Sequence, residues 1–189
     1  MPVAKMLFLY APAGFAAILG FAIAAVASVL FLRTKALRFD ALALAATEVG
    51  LVFLVLNIVA GVVWSHAARG ISWTWDPAIT SALIGALVYA SYLMLRRAVE
   101  EPSQRATFSA VWSIFCFLDV PLVIAAVYRW RSQHPHPALW SDVPDGWPAP
   151  LAASTGGMLV LAGFLLTLRY RRETARREHD FRRRMGQTL

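Results

Sequence analysis

Three tryptophans, a histidine, an arginine and an aspartate fall between Trp64 and Asp76, in a stretch reading Trp-Ser-His-Ala-Ala-Arg-Gly-Ile-Ser-Trp-Thr-Trp-Asp. Trp73 and Trp75 alternate with Ser72 and Thr74, and a period of two puts both indoles on one side of an extended segment. Such a pair offers a surface for a flat, apolar ligand. It equally suits an aromatic belt, with rings in lipid and N–H groups wet, and that reading fits Trp64 and Trp147 best. His134 and His136 stand in Gln-His-Pro-His-Pro, and His66 lies in the stretch itself. Neutral imidazole ligates iron or zinc, although surface histidines are common and type alone does not choose. Glu48 and Asp119 are acids inside apolar runs. Each is either hydrogen-bonded within a bundle, for example to Asn57 or Ser113, or part of a ligand site or proton route.

Apolar runs position these residues. The chain has 189 residues, 59% hydrophobic and 15% charged, more apolar and less charged than a soluble domain. A spanning helix needs about 20 apolar residues. Runs of that kind cover residues 7–32, 41–64, 78–95, 107–127 and 151–168. The reading is an all-α integral membrane protein, a bundle of five transmembrane helices. The first run is too long for a signal peptide and is kept as a helix. Asp76 can cap the third helix, with Pro77 in its first turn, and Pro121 is expected to kink the fourth. The linkers are 65–77, carrying the tryptophans, and 128–150, rich in proline.

Charge sets the orientation. With five spans the termini lie on opposite sides. Arg33, Lys35, Arg38, Arg96, Arg97, Arg105 and the arginines from Arg169 onward, fourteen of the 18 basic residues, share one face. The positive-inside rule makes that face cytoplasmic, with the N-terminus and both tryptophan-bearing loops outside. The tail, 169–189, reads as a basic helix with acid-before-base pairs Glu173–Arg177, Glu178–Arg182 and Asp180–Arg184. Its surplus arginines would meet water and anionic lipid, or dock a protein. Cys116 is the single cysteine, so no internal disulfide forms. No nucleophile–base pair, P-loop or metal-hydrolase motif is present, which argues against a hydrolase or ATPase.

Several motifs in order give the sequence a family resemblance. Arg69-Gly70-Ile71-Ser72-Trp73-Thr74-Trp75-Asp76 resembles a Trp-Gly-x-x-Trp-x-Trp-Asp segment with Arg69 at its first tryptophan. Gly61-x-x-Trp64 precedes it and Asp76-x-x-x-Thr80-Ser81 follows it in register. Thr47-Glu48-Val49-Gly50 resembles Ala-Glu-Ile-Gly, Asp119-Val120-Pro121 resembles Asn-Val-Pro, and Trp130-x-x-x-His134 resembles Trp-Asn-Thr-Leu-His. These are features of the haem-handling C proteins of the cytochrome c maturation system (CcmC), within the larger tryptophan-rich haem-handling family. The resemblance runs from about Tyr10 to His134.

The resemblance implies a multi-pass protein of the bacterial inner membrane that is not itself an enzyme. It would hold haem b transiently and non-covalently at the periplasmic face, against Trp64, Gly70, Trp73, Trp75, Asp76 and Trp130. It would pass haem to a periplasmic haem chaperone, working with companion ABC transporter subunits. His134 is the implied axial iron ligand. The family's other ligand histidine, in His-Val-Pro, is replaced here in Tyr10-Ala11-Pro12. Tyr10 as phenolate, His66 or His136 are the candidates for that role. The family's usual first helix has no counterpart before Tyr10, leaving five spans rather than six. Two other functions fit the same residues: a membrane scaffold or transporter subunit that no longer ligates haem, and a component of a cytochrome c haem lyase.

Overall fold

The structure, a computed structural model, describes residues 6–73, 75, 77–129 and 146–186. They form α1 (Leu7–Thr34), α2 (Leu37–Arg69), α3 (Pro77–Ala98), α4 (Pro102–Phe117), α5 (Asp119–Arg129) and α6 (Pro148–Gly186), with no strand among the described residues. Among the described residues, five helical stretches are long and apolar enough to cross a membrane, Pro102–Leu122 counting as one across the α4–α5 junction. The protein is all-α and multi-pass.

The boundaries depart from the apolar runs for identifiable reasons. The second helix extends past 64 to Arg69, so His66 sits in its last turn rather than in a loop, and Trp64 lies within the helix rather than at its end. The chain meets no helix breaker before Gly70, which takes a left-handed conformation (φ 73°) and donates its N–H to the His66 carbonyl at 2.8 Å. The fourth helix begins at Pro102, not 107. Glu101 caps it by accepting from the backbone N–H of Ser103 at 3.1 Å and of Gln104 at 2.6 Å, and Pro102 needs no partner in the first turn. That span then breaks at Leu118, whose N–H bonds the Phe115 carbonyl at 3.0 Å. Pro121 in the first turn of α5 has no N–H for the Phe117 carbonyl, so a continuous helix would be one bond short. Residues 148–186 form one unbroken helix, so the basic tail continues the fifth span.

Helices α1 and α2 pack as an antiparallel hairpin with a two-residue turn at Lys35–Ala36. Small residues bring them close: a Cβ placed on Gly20 would stand 2.9 Å from the Gly50 Cα and 3.2 Å from the Ala46 carbonyl oxygen. Behind this crossing Phe21 stacks on Tyr89 of α3, ring centroids 3.5 Å apart. Phe53, Tyr92, Cys116 and Val120 belong to the same buried core. Trp112 of α4 donates its indole N–H to Ser91 of α3 at 3.0 Å. Helix α6 packs on α1 and α2.

This alternation makes two ends. One gathers the start of α1, the end of α2, the start of α3 and the start of α6, and it carries Trp64, Trp73, Trp75 and Trp147. The other gathers the end of α1, the start of α2, the end of α3, the start of α4 and the end of α6, and it carries most of the arginines among the described residues.

Candidate functional site

At the tryptophan-bearing end, the left-handed turn at Gly70 folds the chain back over the last turn of α2. That reversal brings Ser72 Oγ to 3.0 Å from His66 Nδ1. When Nδ1–H donates to the serine, the imidazole presents a lone pair at Nε2, the form suited to a metal. His66 itself is exposed. Trp73 and Trp75 follow, ring centroids 5.7 Å apart and planes at 84°. The indoles meet edge to face, a favoured aromatic geometry, so they form a corner rather than one continuous plane. Trp75 is 77% exposed, the most exposed of the large apolar side chains among the described residues.

Other contacts hold the surroundings. Phe8, at the start of α1, meets Trp147, just before α6, with ring centroids 5.5 Å apart. The Asn57 amide on α2 donates to the Tyr10 carbonyl at 2.8 Å. That bond ties the start of α1 to the second helix one to two turns below Trp64. Tyr10 is half-buried.

The structure brings Trp64, His66, Gly70, Trp73, Trp75 and Tyr10 to one end of the bundle. Asp76, Trp130, His134 and His136 lie outside the described residues, as does the expected Asp76 cap. Pro77 opens α3.

The intramembrane acids are not at this site. Glu48 does not use Asn57 or Ser113 as its partner. It accepts from Arg169 Nη2 at 2.9 Å and pairs with Arg169 Nε as well. Asn57 is committed to Tyr10, and Ser113 Oγ is buried with no hydrogen-bond partner among the described residues. Asp119 directs Oδ2 at Gly85 of α3, where an added Cβ would collide with it. Glycine there makes room for the carboxyl.

Nor is the tail simply a solvated helix. Arg177 donates to Asp40 Oδ2 at 2.8 Å and to the Leu37 carbonyl at 3.1 Å, both on α2. Asp40, 4% exposed, also receives a bidentate grip from Arg96 at 2.6 and 2.9 Å. Glu173 accepts from Arg177 at 2.8 Å and from Arg169 at 3.4 Å, completing a chain of charges from α3 through α2 to α6. Of the expected pairs within the tail, Glu173–Arg177 and Glu178–Arg182 form. The Arg184 side chain of the third is outside the described set.

Sequence reasoning alone misses Ser72 and the inward-facing tail arginines. Ser72 reaches His66 only because the chain reverses at Gly70, and no helical or strand period carries that signal. The tail holds one available clue. Arg169, Glu173 and Arg177 follow one another at four-residue spacing, which marks one helix face.

The sequence profile of the CcmC family, described as heme exporter protein C, matches residues 2–185. The chain belongs to the CcmC family. A protein from Paracoccus denitrificans named heme exporter protein C is 32% identical over 178 residues, covering 92% of this chain and 74% of its own length. One of the same name from Bradyrhizobium diazoefficiens is 29% identical over 130 residues, 69% of this chain; the matched part is 49%, about half, of that relative. A cytochrome c biogenesis protein CcsA from Synechococcus sp. (strain RCC307) is 38% identical over 90 residues, 46% of this chain and 29% of its own. Within this CcmC chain, the Thr47–Gly50 motif has a structural meaning: Glu48 holds Arg169 and Gly50 lies at the α1–α2 crossing.

Proposed function

We propose that this chain acts in cytochrome c maturation by holding haem at its tryptophan-bearing end, on the periplasmic face of a bacterial inner membrane. There it presents haem to a periplasmic haem chaperone, alongside an ABC transporter complex. Membership in the CcmC family supports the role in maturation, and the names of the relatives support haem as the cargo. The observation that carries the location is the exposed Trp75 beside Trp73 at the end of a span. A large exposed indole at an aqueous boundary offers a ring face to a flat macrocycle, while the perpendicular neighbour offers an edge. The orientation rests on the arginines gathered at the other end.

His134 is the proposed axial ligand. Tyr10, His66 and His136 are the candidates for the second position. Trp64, Gly70, Asp76 and Trp130 complete the proposed contact set. The haem-handling unit is 1–168, and 169–189 is its basic extension.

Purified protein supplied with haem should show a Soret band that weakens in His134→Ala and in Trp75→Ala. A haem-supplied wild type without a Soret band overturns the proposal in favour of the scaffold reading. Resonance Raman spectra of wild type and Tyr10→Phe distinguish a phenolate ligand from an imidazole.

A further inference from the structure

The arginine-bearing end contains a cavity of about 560 Å³, lined by α2, α3, α4 and α6. Six arginines line it against three carboxylates, Glu48, Glu173 and Asp180. Much of that charge is internally balanced. Glu48 is engaged by Arg169, and Glu173 by Arg169 and Arg177, while Arg96 and Arg177 share the buried Asp40. Arg97, Arg105 and Arg176 remain, with no ion pair among the described residues, against one further lining carboxylate, Asp180, so positive charge is in excess; Arg105 lies near Glu101, which caps its own helix. They come from three different helices and converge on one volume. A like-charged convergence of this kind is unfavourable unless an anion occupies it. Planar guanidinium forks match the oxygens of a phosphate group.

From this we infer that the cavity is a binding site for a phosphate-bearing anion. Arg97, Arg105 and Arg176 supply the donors. The network around Asp40 and Glu48 holds the walls and takes no direct part. The site is at the opposite end from the tryptophans and is independent of the haem proposal. The same phosphate chemistry can come from the headgroup of an anionic phospholipid or from a soluble phosphate compound. The volume accommodates either.

The test uses the full-length protein in detergent. Native mass spectrometry after adding phosphatidylglycerol, with phosphatidylcholine as the comparison, reads retention of lipid. Isothermal titration with inorganic pyrophosphate reads the soluble arm. The double variant Arg97→Gln/Arg176→Gln removes two donors at exposed positions. Arg171→Gln/Arg183→Gln, on the same tail but outside the cavity lining, removes equal charge. The site is supported if the first pair lowers retention of phosphatidylglycerol or affinity for pyrophosphate at least fivefold and the second pair changes it less than twofold. Loss in the lipid arm alone assigns a headgroup, and loss in the pyrophosphate arm alone assigns a soluble phosphate compound. Equal losses in both variants, or no binding of either anion by wild type, overturn the inference.

Discussion

The two ends of this bundle handle unfavourable groups in opposite ways. At the arginine-bearing end, a central carboxylate is taken out of water and engaged on both oxygens: Asp40 is 4% exposed and accepts from two arginines on two other helices. At the tryptophan-bearing end, an apolar ring is left in the open, Trp75 at 77% exposure, on a segment where Ser72 bonds His66 and the chain turns at Gly70. Buried ion pairs restrict how helices can be arranged, because any other packing strands a charge. Exposed aromatic surface does nothing for the isolated fold and becomes favourable only when something covers it. The buried pairs anchor the helices at one end, and the proposed haem contact falls at the end where apolar surface is left uncovered.

This contrast fails first if Asp40 proves dispensable. Asp40→Ala leaves Arg96 buried without its carboxylate and frees Arg177 from α2. We expect a loss of about 3–5 kcal/mol, read as an earlier unfolding transition in an SDS titration. Haem binding by whatever folded protein remains should be little changed, since the two sites share no residue.

Next in size is the crossing that couples the ends. Gly20→Ala puts a methyl 2.9 Å from the Gly50 Cα, against backbone that cannot move aside without separating α1 from α2. The expected cost is about 1–3 kcal/mol, in the same titration. Because Tyr10 and Trp64 lie on these two helices, this variant should also weaken haem retention. That would distinguish it from Asp40→Ala.

The tryptophan end is tested in the opposite sense. Trp75→Ala should leave stability within about 0.5 kcal/mol, as an exposed substitution does. It should lower haem affinity up to roughly tenfold, given ~0.5–1.5 kcal/mol for an aromatic contact. A stability loss matching that of Gly20→Ala would place Trp75 in the anchoring class and erase the contrast.

The same physics decides what the sequence reveals. The spans are legible because length and apolarity are local properties, and the arginine bias because it is a sum over segments. The proximity of Trp73 and Trp75 is legible from their spacing. Their perpendicular planes are not, since ring orientation depends on χ angles that spacing does not fix. The end of α2 is hidden because apolarity fades at Trp64 while the backbone has no reason to stop before Gly70. The partner of Glu48 is hidden for a similar reason. Its arginine lies 121 residues away on α6, and only the antiparallel packing of α6 on α2 brings the two together. The tail's inward face is masked because its outward arginines are more numerous than its inward ones.

The smallest effect probes whether anchoring at the arginine end reaches beyond the buried network. Glu101 is fully exposed, yet the N–H groups of Gln104 and Ser103 hold its carboxyl below the usual carboxylate range, helped by Arg105. A carboxylate with a depressed folded pKa contributes stability above its unfolded pKa and loses it as pH falls through the folded value. The contribution is therefore present at neutral pH and disappears only in acid. Hydrogen exchange at the Gln104 amide should show protection that declines as pH is lowered through that window, after correction for the intrinsic rate. Glu101→Gln should show reduced protection with no such pH dependence, because the amide oxygen accepts more weakly and does not titrate there. Unchanged protection in the variant would mean that packing of α4 on α1 and α3, rather than its cap, fixes the start of the helix, and anchoring at this end would then rest on the buried charges alone.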